Sequence, residues 1–285
     1  MFHDHWLEKF FSCFPMRLAG EISEALFPRK CMSCGQCFRH RRDKEHFQNS
    51  AKDKTLDYGF SQLMAPFFCR SCRDGFQTVE EPVCTVCGIL FESRNGINHV
   101  CKKCGQKRPS YDKARAAGIY EGPLLWAVRK LKYHQEVGVA LPLGKILQES
   151  FRRWWPQSSV DMVIPVPLHP KKMRQRGFNQ TFIMIKEWGK RDMGALNESG
   201  PLPSIDLKAL VRIRYTKPQA ALSREERRKN LLGAFTVPDP DRIRHRNILL
   251  VDDVMTSGET VDICAKTLLK AGAARVDVLT LARAL

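Results

Sequence analysis

Residues 247–260 read Asn-Ile-Leu-Leu-Val-Asp-Asp-Val-Met-Thr-Ser-Gly-Glu-Thr, and this stretch decides the fold. Ile248, Leu249, Leu250 and Val251 form an unbroken apolar run, the pattern of a strand covered on both faces. Asp252 and Asp253 end the run, and a hydroxyl-rich turn follows. From Gly258 the sequence GETVDICAKTLLKAG then takes on helical spacing as far as Gly272. Ligands of open α/β sheets sit beyond the carboxyl ends of strands, and a helix starting there offers N–H groups and a positive dipole end to a phosphate. Thr256, Ser257 and Thr260 add hydroxyl donors, while Gly258 lets the backbone come close. The two carboxylates stand where they can accept hydrogen bonds from sugar hydroxyls. Local chemistry alone therefore predicts a phosphorylated sugar. Ending a strand and capping a helix could employ the same residues, but burying two adjacent acids for that purpose alone is costly.

Working outward, RVDVLTLA (275–282) reads as a further strand. Upstream, PLLWAVRKLKY (123–133) opens on Pro123 and has helical spacing, and residues 137–155 continue as a second helix. VDMVIPVP (160–167) reads as a buried strand ended by prolines, and FNQTFIMIKEWGKR (178–191) as a helix. ALVRIR (209–214) and AFTV (234–237) read as strands. This alternation predicts an α/β fold, a largely parallel sheet flanked by helices.

Ahead of it lies a cysteine-rich region. Eight of the eleven cysteines form four C-x-x-C pairs, Cys31/Cys34, Cys69/Cys72, Cys84/Cys87 and Cys101/Cys104. Each pair suits a knuckle that aims two thiolates at one tetrahedral Zn²⁺. Glycines 35, 88 and 105 follow three of the pairs and supply freedom for such turns. Four ligands per ion give two structural zinc sites, and sequential and interleaved sharing of the pairs both satisfy that count. A disulfide framework fails on context, since no secretion signal is evident. Cys37 extends the first knuckle to C-x-x-C-x-x-C and is an alternative ligand there, but it reads more readily as a bystander, like Cys13 and Cys264. The polar run RRDKEHFQNSAKDKTLDYG (41–59) between the first two pairs reads as an inserted loop. The polar, proline-containing GQKRPSYDKAR places a boundary near residue 110, which divides the chain into an amphipathic helical segment (1–28), a double zinc ribbon (29–110) and the α/β domain (111–285).

Apolar positions in the first segment are interrupted by Asp4, Glu8, Arg17, Glu21 and Glu24, so it reads as a packing helix rather than a signal peptide. With no apolar stretch near the roughly 20 residues a membrane span needs, the expected location is cytoplasmic. The formal charge of +17 sits unevenly: residues 1–110 hold 17 Lys and Arg against 12 Asp and Glu, and the rest hold 30 against 18. Two zinc tetrathiolates would neutralise most of the first surplus, leaving the C-terminal part strongly basic and suited to an anionic partner, a phosphorylated small molecule or a nucleic-acid backbone.

The stretch 248–260 resembles, position by position, the signature by which type I phosphoribosyltransferases bind phosphoribosyl pyrophosphate (PRPP). The resemblance implies that Asp252 and Asp253 contact the ribose hydroxyls and that Val254, Met255, Thr256, Ser257, Gly258, Glu259 and Thr260 enclose the 5′-phosphate. Enzymes of this class acting on 6-oxopurines carry an aspartate where this chain has Thr256, which argues against hypoxanthine or guanine salvage. IPVPLHPKKMRQRGFNQ (164–180) delivers Lys171, Lys172, Arg174 and Arg176 with Gly177, Asn179 and Gln180 after a strand, a set suited to the pyrophosphate end. RIRYTKPQAALSREERRKNLLGAF (212–235), with Thr216, Lys217, Gln219, Arg224 and Arg227, occupies the place of the mobile loop that closes over the reacting centre. In order, C-x-x-C knuckles, PVP…RGFNQ, TKPQ…ER…N and LVDDVMTSGET resemble the ComF (competence protein F, GntX-like) family from about Cys31 to the C-terminus. That resemblance implies a type I phosphoribosyltransferase-like sheet behind a zinc ribbon, with PRPP as ligand and Asp252 and Asp253 at the reacting centre; in a transfer reaction Mg²⁺ would neutralise the pyrophosphate, and Arg176 and Lys217 are the candidates for stabilising its departing charge. It also implies an association with DNA uptake, through single-stranded DNA or a competence helicase docked on the zinc region. Trp154 and Trp155, beside Arg152 and Arg153, would serve as stacking platforms for such DNA if exposed, although tryptophans at helical spacing are more often core.

Overall fold

The computed structural model describes residues 28–38, 56–93, 96–155, 160–188, 203–216, 226 and 230–285. The cysteine-rich part carries the strands β1 (Arg29–Lys30) and β2 (Cys37–Phe38), paired antiparallel, and the short helices α1 (Leu56–Leu63), α2 (Arg70–Arg73) and α3 (Lys102–Gln106). Behind it follow β3 (Ala114–Ile119), α4 (Gly122–Tyr133), α5 (Ala140–Trp154), β4 (Met162–Pro165), α6 (Pro170–Arg176) and α7 (Gln180–Ile185). The chain then continues through β5 (Ser204–Ile205), β6 (Val211–Arg212), β7 (Phe235–Thr236), β8 (Asn247–Met255), α8 (Glu259–Lys270) and β9 (Arg275–Arg283).

Five strands form one parallel sheet in the order β3-β9-β8-β4-β5. The apolar run of β8 is its central strand and is covered on both faces, because successive side chains of a strand point to opposite sides. Leu249 and Val251 join one core with Leu131, Leu143 and Met184. Ile248 and Leu250 join the other with Val261, Cys264 and Leu268. From β4 the chain steps outward to β5, whereas from β8 it steps the other way to β9. The reversal lies between β4 and β8, and sheets of this kind bind ligands at the carboxyl ends of the strands flanking such a point. The fold is thus of the expected α/β class, a parallel sheet flanked by helices with two clusters of cysteines ahead of it.

Several elements depart from expectation. β3 was not expected: it begins at the last two residues of the polar boundary segment, and its ARAAGI sequence lacks an apolar run. Small residues are required there: a Cβ on Gly118 would lie 2.8 Å from Phe76 and 2.9 Å from the Gln77 carbonyl oxygen. ALVRIR and AFTV do not join the main sheet; β6 and β7 pair with each other, antiparallel. The basic segment after β4 contains a helix, α6, ended by Gly177 in the left-handed region at φ 84°. The predicted 178–191 helix starts later, at Gln180 of α7, since Asn179 caps it by accepting the Thr181 and Phe182 N–H groups; α7 ends at Ile185, and residues 189–191 lie outside the described residues. Leu56–Leu63 is helical, so the inserted polar run ends earlier than expected.

The cysteine-rich segment seals the edge of β3, an edge that would otherwise expose unpaired backbone groups. Ala114 N–H donates to Val86 at 2.7 Å, Ile119 N–H to Gln77 at 2.9 Å and Val79 N–H to Ala117 at 3.2 Å. Trp155 is buried, with Nε1 donating to Asp277 at 2.9 Å. Trp154 is covered by the guanidiniums of Arg115 and Arg153, 4.9 and 5.1 Å from its ring centre. Neither is a free platform for nucleic acid, and their helical core role holds. No helix among the described residues is long and apolar enough to cross a membrane. The N-terminal helical segment before residue 28, with Cys13, lies outside the described residues, as does most of the inserted loop.

Candidate sugar-phosphate site

Alternation along β8 sends its two terminal acids to opposite faces. Asp253 is 4% exposed and points toward α4 and α7. Its Oδ1 lies 2.7 Å from the Lys132 ammonium, and its Oδ2 accepts from Gln180 Nε2 at 2.7 Å. Gln180 in turn accepts from the Arg176 guanidinium. Burial works against the charged Lys132, but the Asp253 carboxylate outweighs it and lifts Lys132 above its ordinary value. Asp252 is half-buried on the face toward α8, where one oxygen accepts the Asp253 N–H at 2.8 Å. Burial, then the charge of Asp253, raises the Asp252 carboxyl to about 7, with Lys132 and Arg212 opposing.

Cations gather around these acids from separate elements. Lys172 of α6 is held below its ordinary value by burial and by the positive charges of Arg212, Arg176 and Lys132. Arg212 of β6 donates to Thr216 and packs over Phe235, 5.3 Å from its ring centre. Four cations thus converge on two carboxylates at the carboxyl ends of β4 and β8. Such a surplus favours an anion, and guanidiniums match phosphoryl oxygens in geometry.

The turn into α8 follows these acids directly in the chain. Met255 is buried, Thr256 exposed, and Val254, Ser257 and Thr260 half-buried; Glu259 is buried in the first turn. Gly258 takes φ 82°, and a Cβ there would lie 2.8 Å from Met255 Cε. Of the residues expected at the pyrophosphate end, Arg176 and Gln180 join the Asp253 network. Asn179 is occupied in capping α7 and in donating to Val166 O at 3.1 Å. Gly177 ends α6, and Arg174 is exposed on it. Lys217, Gln219, Arg224 and Arg227 lie outside the described residues.

Lys132 and Arg212 were not singled out from the sequence. Both sit within otherwise ordinary helix and strand patterns. One signal for Lys132 was available: it directly follows Leu131 at the end of the buried face Leu124–Val128–Leu131.

The cysteines form two clusters that share pairs sequentially, Cys31, Cys34, Cys69 and Cys72 in one and Cys84, Cys87, Cys101 and Cys104 in the other. The four sulfurs of each lie within 4.8 Å of one another. Cys34–Cys69 and Cys87–Cys101 sulfurs are each 3.8 Å apart, and a tetrahedral Zn²⁺ with bonds of about 2.3 Å has edges of about 3.8 Å. Backbone N–H groups of Cys87 and Cys101 point at Cys84 Sγ, at 3.5 and 3.3 Å. Burial pushes the Cys84 thiol up, but these donors bring it down to about 7; Cys31, similarly supplied, falls to about 6. Both donor sets fit Zn²⁺. Cys37 is exposed and apart from the clusters, and Cys264 is buried within α8.

No protein-family model matches the sequence. The DNA utilization protein YhgH of Escherichia coli O157:H7 is 30% identical over 240 residues, spanning 78% of this chain and all of that protein. The chain belongs to the ComF family. Competence protein F of Haemophilus influenzae matches this ComF-family chain at 27% identity over 76% of its length and 97% of its own. Competence protein ComFC of Bacillus subtilis matches at 22% over 75% of this chain and 83% of its own. A solved hypoxanthine phosphoribosyltransferase of Staphylococcus aureus overlies 52% of the chain and 64% of its own at 13% identity, with a TM-score of 0.29, too loose a fit to bear on function.

Proposed function

We propose that this ComF-family chain binds PRPP with Mg²⁺ at the carboxyl ends of β4 and β8 and transfers its phosphoribosyl group to a nitrogen acceptor. The observation that carries this reading is the convergence of Lys132, Lys172, Arg176 and Arg212 on Asp252 and Asp253 beside the Thr256–Thr260 turn. Phosphate at the turn would meet the start of α8, and Asp252, the half-buried acid, would take the ribose hydroxyls. Asp253 already has both oxygens engaged, so its part is to hold Lys132 and, through Gln180, Arg176 toward the departing pyrophosphate. Mg²⁺ commonly takes one or two carboxylates with phosphate oxygens, which Asp252 and the ligand could supply, and it would neutralise the leaving group. In the transfer, a C–N bond forms at the anomeric carbon as the C–O bond to pyrophosphate breaks, and the acceptor nitrogen gives up its proton.

A second reading, a PRPP-responsive protein of DNA uptake without turnover, draws support from the names of its relatives, which concern competence and DNA utilization. Single-stranded DNA, and a competence helicase at the zinc region, would then be its partners. Titration calorimetry of PRPP with Mg²⁺ into wild type and an Asp252→Asn/Asp253→Asn variant tests what both readings share. Binding to wild type and a loss of at least tenfold in the variant are expected, and equal affinities would sink the site. Pyrophosphate release across a panel of nitrogen acceptors then separates the two, since binding without release leaves the second.

A further inference from the structure

Arg115 of β3 and Arg283 of β9 are buried, at 6% and 4% exposure. Guanidinium stays charged in proteins, and a buried charge without a counter-charge is costly. Among the described residues neither forms an ion pair with a carboxylate. Arg115 donates only to neutral carbonyls, those of Ala114 at 2.7 Å, Thr85 at 3.1 Å and Cys84 at 3.4 Å, and its Nε has no hydrogen-bond partner. Arg283 has none at Nε or Nη1. What both residues share is the second cysteine cluster. Arg115 is bonded along its Cys84–Thr85 backbone, and Arg283 lines one cleft with Cys87 and Cys104.

That cleft runs between the cluster and the turn into α8, with Lys103, Lys107, Arg108 and Ser257 also on its wall. Four cations would suggest a phosphate site, but Glu259 and Asp262 line it too, and a zinc tetrathiolate carries two negative charges of its own. Those charges cancel, leaving nothing for an outside anion. Glu81 and Asp277 act on Arg115 only from beyond ion-pair distance, so the second cluster is the negative charge that the two buried arginines share.

We propose that Arg115 and Arg283 are positioning residues for the second metal centre, their buried positive charges facing the dianion of its loaded form, so that this centre is a working part of the α/β sheet rather than a detachable module. This rests on the reading that the cluster binds metal. It has a consequence at the sugar-phosphate turn, because Lys103 Nζ donates to Ser257 O at 3.4 Å and Ser110 N–H donates to Asp262 at 2.5 Å. Unloading the second centre would release the start of α8.

The test measures metal per chain by mass spectrometry and the rate of metal release to a coloured chelator. Wild type is compared with Arg283→Lys, Arg283→Gln and a Cys34→Ser variant that identifies the phase belonging to the first centre. Two metals per wild-type chain are expected. Arg283→Gln should speed release from the second centre about 10–100-fold, the usual range for groups that support a metal's ligands. Arg283→Lys, which keeps the charge, should stay within a few fold of wild type and shows whether the site still folds. Equal rates in the Lys and Gln variants overturn the charge argument while leaving metal binding intact; fewer than two metals in wild type would instead overturn the metal reading itself.

Discussion

At the scale of the residue, Asp252 joins stability and function in opposition. Its carboxyl is raised to about 7 against an ordinary 3.8, through burial and the neighbouring Asp253. Above pH 7 the folded protein must hold that charge where the unfolded chain holds it in water. A raised acid therefore adds most stability below its unfolded value, and that contribution is lost as pH rises from about 4 to about 7. Asp252→Asn removes the cost. With allowance for its partial exposure the gain is about 1–2 kcal/mol, or about 3–6 °C in melting temperature at pH 8, shrinking steadily as pH falls toward 4. Thermal melts at three pH values decide it: a variant less stable than wild type at pH 8, or a difference independent of pH, refutes the assignment. Greater stability together with lost PRPP affinity would mark an acid kept for its ligand. The sequence made Asp252 and Asp253 conspicuous because two acids directly after an apolar strand are conspicuous anywhere. It was silent on their facing opposite ways with different partners, although the two-residue period of a strand implies it. Lys132 escaped notice because only the packing of α4 against β8 brings it to Asp253.

At the scale of the element, the turn into α8 depends on Gly258. Its φ of 82° lies in the left-handed region, and an added Cβ would press on Met255 Cε at 2.8 Å, with Tyr111 Oη at 3.6 Å. The methionine end can shift, so the backbone conformation is the larger cost, about 1–2 kcal/mol. Gly258→Ala is accordingly expected to fold, to melt a few degrees lower, and to lose at least tenfold in PRPP affinity while keeping its metal content. Calorimetry beside metal analysis checks this, and unchanged affinity would show that the turn does not hold the phosphate. The strand–turn–helix was legible because each of its signals is local. β3 was not, since its alanines and Gly118 answer to close neighbours: a Cβ on Gly88 of the second knuckle would lie 2.4 Å from Ala114 O. β5, two residues long, is defined only by its pairing with β4. Knuckle pairing was equally beyond the spacing, because sequential and interleaved sharing differ only in how the chain folds back between pairs.

At the scale of the whole molecule, the question is what the positive surplus does. The formal charge of +17 falls to about +13 once two zinc tetrathiolates are counted. Part of the remainder is committed: Lys132 to Asp253, Arg242 to Asp206 at 2.6 Å, and Arg115 and Arg283 to the second cluster. The tryptophans beside the basic residues 152 and 153 are themselves packed under cations, Trp155 beneath Lys113 and Trp154 between two arginines. Binding of a single-stranded oligonucleotide should then be carried by phosphate contacts and be correspondingly weak against salt. For about five such contacts, affinity falls roughly 100-fold between 50 and 200 mM salt, from a slope of about −0.7 per phosphate. A fluorescence anisotropy series over that range measures the slope directly. Binding that persists at 200 mM would require bases stacked on exposed rings, and on α4 Trp126 and Tyr133, 38% and 69% exposed with Arg129 and Arg176 beside them, are the rings to substitute next. Because Arg176 also belongs to the Asp253 network, DNA held there would weaken when PRPP is added, whereas a purely diffuse attraction would not respond.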